Sequence, residues 1–199
     1  MSKKKVVFFG TKKIGLECLK ILFENQSKLN YEITGVLTND NSFEIKEYSL
    51  NNKLNLLDTL DCYLSLDKVD ILISVQYHKL LRLDHINKAK EISINLHMAP
   101  LPELRGCNQF SYAIIEEKKI FGTTIHRLEE GIDNGDILFE TRFKIPKNCW
   151  VDDLYKITYQ KSLELFKTSL PKIISSIFKP VSQAQLIQER TCSIKESSC

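Results

Sequence analysis

The chain has 199 residues and a formal net charge of +3, a length that fits one domain, or one domain with a short extension, able to bury its own core. The small positive balance speaks against a dedicated nucleic-acid binder and for a small anionic ligand. The six cysteines are scattered, with no CxxC and no His/Cys pair at zinc spacing, and no apolar run approaches the roughly 20 residues of a membrane helix. With MSKKKVVFFG at its start and no signal peptide, the chain reads as a cytoplasmic protein with reduced thiols, no bound metal and no membrane partner.

Residues 5–10 (KVVFFG) form a β-rich apolar run ending in glycine, the pattern of a buried strand. After a turn at 11–13, apolar residues at Ile14, Leu16, Leu19, Ile21, Leu22 and Phe23 follow helical spacing, and 31–37 (YEITGVL) gives a second strand. Strand, helix, strand predicts a parallel α/β sheet. The polar stretch 38–60 carries no assignment. Further strands are expected at 69–75 and 92–97, with a short helix at 84–90 and a helix at 108–117 N-capped by Asn108. Two strands, 122–128 and 137–145, are joined by a turn near Asp133 to Gly135. A long helix follows, capped by Asp152 or Asp153 and kinked or divided at Pro171. The reading is a catalytic domain over 1–180 and a short polar C-terminal extension over 181–199.

The chemistry concentrates in ISINLHMAPLPELRG, residues 92–106. Alternation on a strand sends Ile92, Ile94 and Leu96 to one face and Ser93, Asn95 and His97 to the other. An amide donor then lies beside an imidazole near the end of a strand, where open α/β sheets bind ligands. Pro100 and Pro102 stiffen the exit, and Arg105-Gly106 makes a sharp turn. Downstream, GIDNGD brackets Asp133 with glycines that permit unusual backbone angles. If that loop folds back over the strand end, Asp133 meets His97. The turn GTKKIG at 10–15 precedes a helix N-terminus that favours phosphate, although it is not a GxGxxG fingerprint.

Asn95-x-His97, the loop through Pro102 and Arg105-Gly106, then Asp133-x-Gly135 with 36 residues between His97 and Asp133, together resemble the folate-dependent formyltransferases. The resemblance covers most of the chain and includes the opening Phe8-Phe9-Gly10-Thr11. It implies a Rossmann-like α/β domain, a central, mostly parallel twisted sheet flanked by helices, with N10-formyltetrahydrofolate as co-substrate. It places the catalytic residues on Asn95, His97 and Asp133. The pterin ring would lie between two loops, represented by Tyr77, Lys79 and Leu81 and by Glu129, Glu130, Gly131 and Ile132. Asn95 and a protonated His97 would donate hydrogen bonds to the oxyanion that develops on the formyl carbon, where losing one donor costs about 100-fold to 1,000-fold in rate. Asp133 would orient His97 and favour its charged form. His97 or Asp133, directly or through water, would take the amine proton.

The stretch LHMAPLPELRGCNQFSYAI is similar to the branch that formylates dTDP-linked amino-dideoxyhexoses for lipopolysaccharide O-antigens or related surface glycans. The transfer-RNA branch would place Pro at the position of Asn108. Arg105, Asn108 and Gln109 are the candidate contacts to the nucleotide sugar. The chain stops early for either branch. A methionyl-tRNA formyltransferase-like enzyme and a truncated folate- or nucleotide-binding remnant without turnover therefore stay open, as does homodimerisation.

Overall fold

A computed structural model describes residues 2–188. In chain order its elements are β1 (Lys4–Gly10), α1 (Lys12–Glu24), α2 (Gln26–Leu29), β2 (Tyr31–Leu37), α3 (Phe43–Asn51), β3 (Leu56–Leu57) and α4 (Leu60–Leu64). They continue with β4 (Ile71–Val75), α5 (Leu83–Asn87), β5 (Ile92–His97), α6 (Gln109–Ile115), β6 (Ile120–Arg127), β7 (Ile137–Lys144) and α7 (Val151–Ile174). The strands form one sheet in the order β3-β2-β1-β4-β5-β6-β7. The five from β3 to β5 are parallel, and β6 and β7 continue it as an antiparallel hairpin. The expected mostly parallel α/β sheet is therefore present.

Two apolar layers sandwich the sheet. Val6, Phe8, Ile71, Ile73, Ile94 and Leu96 point to one face, where Leu19 and Leu22 of α1 and Phe166 and Leu170 of α7 cover them. Val7, Phe9 and Leu72 point to the other, against Tyr63 of α4 and Val69. This opposition is the period-2 pattern of strands buried on both faces. Burying a side chain such as Phe8 or Phe166 contributes about 1.5–3 kcal/mol, and Phe166→Ala would cost about 3–5 kcal/mol through the cavity left behind.

Three local expectations are corrected, and a fourth, Asn108 as an N-cap, holds in position. The unassigned stretch 38–60 contains α3, β3 and the start of α4. Its α3 buries only Ile45 and Ser49, so almost no apolar stripe marks it in the sequence. Asn108 stands at the N-cap position of α6 with left-handed backbone (φ 60°) and no capping side-chain bond. Trp150, not Asp152 or Asp153, is the N-cap of α7. Asp153 is three residues on, where its carboxylate accepts the Trp150 N–H at 3.3 Å, and both acids sit where the helix dipole favours them. Helix α7 runs unbroken through Pro171, which lies in its last turn.

Residues 181–188, read as the start of the extension, lie against the domain. Val181 and Ile137 exchange backbone hydrogen bonds of 2.8 and 2.9 Å, and Gln183 is buried. The rest of the expected extension, 189–199, lies outside the described residues.

Candidate active site

The site is built on the face of the sheet that carries Ser74, Asn95 and His126. Strand pairing sets these three side by side: Ser74 opposes Asn95 across β4–β5, and Asn95 opposes His126 across β5–β6. Helix α4 serves the cluster on the β1–β4 side of this face, and its Tyr63 hydroxyl donates to His85 O of α5 at 3.0 Å; over β5 and β6 lie loops. One of them, 128–136, joins β6 to β7 and is tied down by Leu128 N–H to Ser93 O (2.8 Å) and Arg127 N–H to Asp136 O (2.9 Å). Its approach is tight, because a Cβ on Gly135 would stand 2.2 Å from the Arg127 carbonyl oxygen. Asp133 takes left-handed backbone there, with φ 48°, a conformation Asp tolerates better than most residues. As expected, the loop brings Asp133 to His97, the last residue of β5, and it also reaches Asn95 on the same strand.

The Asp133 carboxylate is the hub. Its Oδ2 accepts the Gly106 N–H at 2.9 Å and faces His97 Nδ1 at 3.4 Å. Its Oδ1 lies 3.3 Å from His126 Nε2 and 3.4 Å from Asn95 Nδ2. Asn95 Nδ2 is also 3.2 Å from His126 Nε2. Two carbonyls fix the tautomers: His97 Nε2 donates to Leu104 O and His126 Nδ1 to Arg127 O, both at 2.7 Å. In these tautomers each ring turns its lone-pair nitrogen toward Asp133. The Asn95 amide can satisfy the one on His126. His97 Nδ1 is left as the basic nitrogen, and a proton there would form an ion pair with the carboxylate.

Burial dominates His97 and draws its pKa below the usual 6.5, against the opposing pull of Asp133 and the Leu104 carbonyl. For Asp133, burial raises the pKa, but the His126 and His97 rings beside it and the Gly106 N–H together bring it below 3.8. At neutral pH the pair is a carboxylate beside a neutral imidazole. The sequence reading has Asp133 favour the charged form of His97; Asp133 does pull that way, but burial of the ring opposes it more strongly.

Asn95 and Asp133 line a cleft of about 330 Å³ with His126, Gly106 and Cys107. Of the residues assigned to the pterin, Tyr77, Lys79, Leu81, Glu129, Gly131 and Ile132 line this same cleft. Glu130 does not; its carbonyl accepts the Asn134 amide at 2.8 Å. His97 is 4% exposed and lies behind the lining, against Asp133 and edge-on to the His126 ring. The three acceptor candidates lie outside this cleft. Asn108 and Gln109 contribute nothing to the cleft wall, Gln109 being buried at the start of α6. The Arg105 guanidinium is held by Gln183 Oε1 through Nε (2.9 Å) and Nη2 (2.7 Å).

Sequence reading missed His126 and Gln183. The signal for His126 was strand alternation in IFGTTIHR, which sets Thr124 and His126 on one face, but partnership with Asn95 needs the antiparallel register. Gln183 gave no signal. Arg142 braces the loop after β5 by donating to Leu101 O (2.8 Å) and to both Glu103 carboxylate oxygens (2.8 and 3.0 Å). Chemically, the site offers an amide donor and a carboxylate-backed base within one pocket, the parts needed to stabilise a growing oxyanion and accept a proton. Among the described residues no group of three or more His, Cys, Asp or Glu is placed to hold a metal.

The sequence profile of the formyl transferase family matches residues 4–170. The chain is 32% identical over 188 residues to the bifunctional polymyxin resistance protein ArnA of Wigglesworthia glossinidia brevipalpis, covering 86% of this chain and 28% of that protein. It is 28% identical over 194 residues to a methionyl-tRNA formyltransferase of Prochlorococcus marinus subsp. pastoris, covering 85% and 56%. The chain thus spans about a quarter to a half of these relatives. In fold it is similar to the N-formyltransferase from Helicobacter canadensis in complex with folinic acid and dTDP-3-aminofucose, with TM-score 0.77, 23% identity, and 92% of this chain and 68% of that one covered. With a profile match that spans the sheet from β1 to β7 and most of α7, the chain belongs to the formyl transferase family.

Proposed function

We propose that the chain transfers a formyl group from N10-formyltetrahydrofolate to the amino group of a dTDP-linked amino-dideoxyhexose, in the cytoplasm, for a surface glycan such as an O-antigen. The observation that carries formyl transfer is the meeting of Asn95, Asp133 and His126 in one cleft with the two loops matched to the pterin site. Apolar walls from Tyr77, Leu81, Ile86 and Leu128 fit a flat ring, and the polar cluster lies among them. The folate supplies an activated formyl carbon. Asn95 Nδ2 gives up its long contact to Asp133 and donates to the formyl oxygen as negative charge gathers there. The Asp133–His97 pair accepts the proton shed by the attacking amine and returns it to the departing nitrogen.

A second cavity of about 560 Å³ supports a nucleotide acceptor. It opens where β1 and β4 part, the switch point at which α/β sheets take ligands. Lys12 and Lys13 at the start of α1 offer charge to a diphosphate, and Phe43 and Tyr77 offer rings to a base. Tyr77 lines both cavities, so donor and acceptor would meet across it. The similarity of methionyl-tRNA formyltransferases to this chain favours a second reading, a charged transfer RNA as acceptor. A formylation assay over 3-amino and 4-amino dTDP-hexoses, with aminoacylated initiator transfer RNA as counter-substrate, decides. Formylated sugar with inert transfer RNA is expected. Formylation of transfer RNA alone, or folate binding with no turnover on any acceptor, overturns the reading.

A further inference from the structure

Residues 181–188 leave α7, form one bridge with β7 at Val181 and insert a single glutamine beneath the loop that carries Asp133. Gln183 is 2% exposed. Its Nε2 donates to the carbonyl oxygens of Asp133 (2.8 Å) and Gly135 (2.7 Å), and its Oε1 accepts from Arg105 Nε and Nη2. Both amide protons and both lone pairs are used, which fixes the orientation of the amide. The two loops so joined also meet at the reaction centre, where Gly106, next to Arg105, donates its N–H to the Asp133 carboxylate.

We propose that Gln183 is a positioning residue for formyl transfer: it latches the Asp133 loop to the Arg105-Gly106 turn, so the carboxylate faces His97 only when the segment after α7 is docked. Asp133 holds left-handed backbone, which persists only where its surroundings enforce it. The Gln183 amide supplies that enforcement at the residue's own carbonyl. Arg105 serves the latch and not the acceptor. The inference rests on the formyl-transfer reading for its catalytic consequence, but its geometry can be tested without turnover.

Two variants of the full chain, Gln183→Leu and Gln183→Glu, separate the two halves of the latch. Glutamate keeps the pairing with Arg105 but sets a carboxylate against two carbonyl oxygens, so it should fail as leucine does. Both should lose about 10-fold to 100-fold in kcat, the range expected when a reacting group is misplaced by about 1 Å, while KM for the folate changes less than about threefold. In an Asp133→Asn background the same substitutions should add less than about twofold, because they act through Asp133. Hydrogen exchange of the Gly106 amide should quicken by at least about 10-fold, with exchange in β1 and β4 unchanged. Wild-type kcat in either variant, restoration of kcat by glutamate, or a uniform rise in exchange throughout the sheet would overturn the proposal. If the wild-type chain formylates nothing, the functional reading fails alone, and the Gly106 exchange still decides for or against the latch.

Discussion

Asp133→Asn isolates what the carboxylate contributes to proton transfer. The substituted amide keeps an oxygen to accept the Gly106 N–H, which lies 2.9 Å from the native carboxylate, and asparagine fits the same left-handed backbone, so the loop should hold. The charge is lost. When His97 takes a proton at Nδ1, 3.4 Å from Oδ2, the pair attraction at an effective dielectric of 20 is about 5 kcal/mol. Asp133 is partly open to the cleft, with 16% of its side chain exposed, which trims this to about 3 kcal/mol, or about two decades of rate. Initial rates of tetrahydrofolate release, measured from pH 5 to pH 9, should show kcat reduced about 100-fold. KM for the folate should change little, since the walls of the cleft are untouched. The acid limb should also move. His97 already titrates below 6.5, and removing its anionic neighbour lowers it further, so the variant should hold its reduced rate to lower pH than the wild type. A kcat within threefold of wild type, or an acid limb displaced upward, would refute the carboxylate-backed base.

Three further outcomes follow from the same geometry. Both His97 and Asp133 titrate below their unfolded values of 6.5 and 3.8. The stability each contributes is therefore full above its unfolded value and is lost as pH falls through the folded one. Thermal melts should decline from about pH 6.5 downward, and His97→Gln should flatten the upper part of that decline. Gly135→Ala would drive a methyl against the Arg127 carbonyl oxygen, 2.2 Å from the new Cβ; the loop must shift, with a loss of about 1–3 kcal/mol in stability and of most activity, read by urea melts and rates. Cys107 is exposed and lines the cleft, whereas the Cys18 thiol is buried and held in its neutral form. Iodoacetamide should label Cys107 but not Cys18, and a bound folate analogue should slow the labelling; mass-mapped rates that ignore the analogue would place folate elsewhere.

Much of this protein was legible in its sequence. Alternation in ISINLH determined that Asn95 and His97 share a face while Ile94 and Leu96 enter the core, because a strand allows no other arrangement. Apolar runs marked β1 and β4 for a related reason, since parallel strands buried on both faces are apolar on both. The glycines around Asp133 announced a close-packed loop. What the sequence did not contain was the partnership of residues far apart in it. His126 meets Asn95 only through the antiparallel register of β5 and β6. Gln183 meets Asp133 and Arg105 only because α7 returns the chain to β7. The neutrality of His97 was likewise a tertiary matter. The residue type allows either charge state at pH 7, and the depth of burial behind Asp133 decided which one the folded protein keeps.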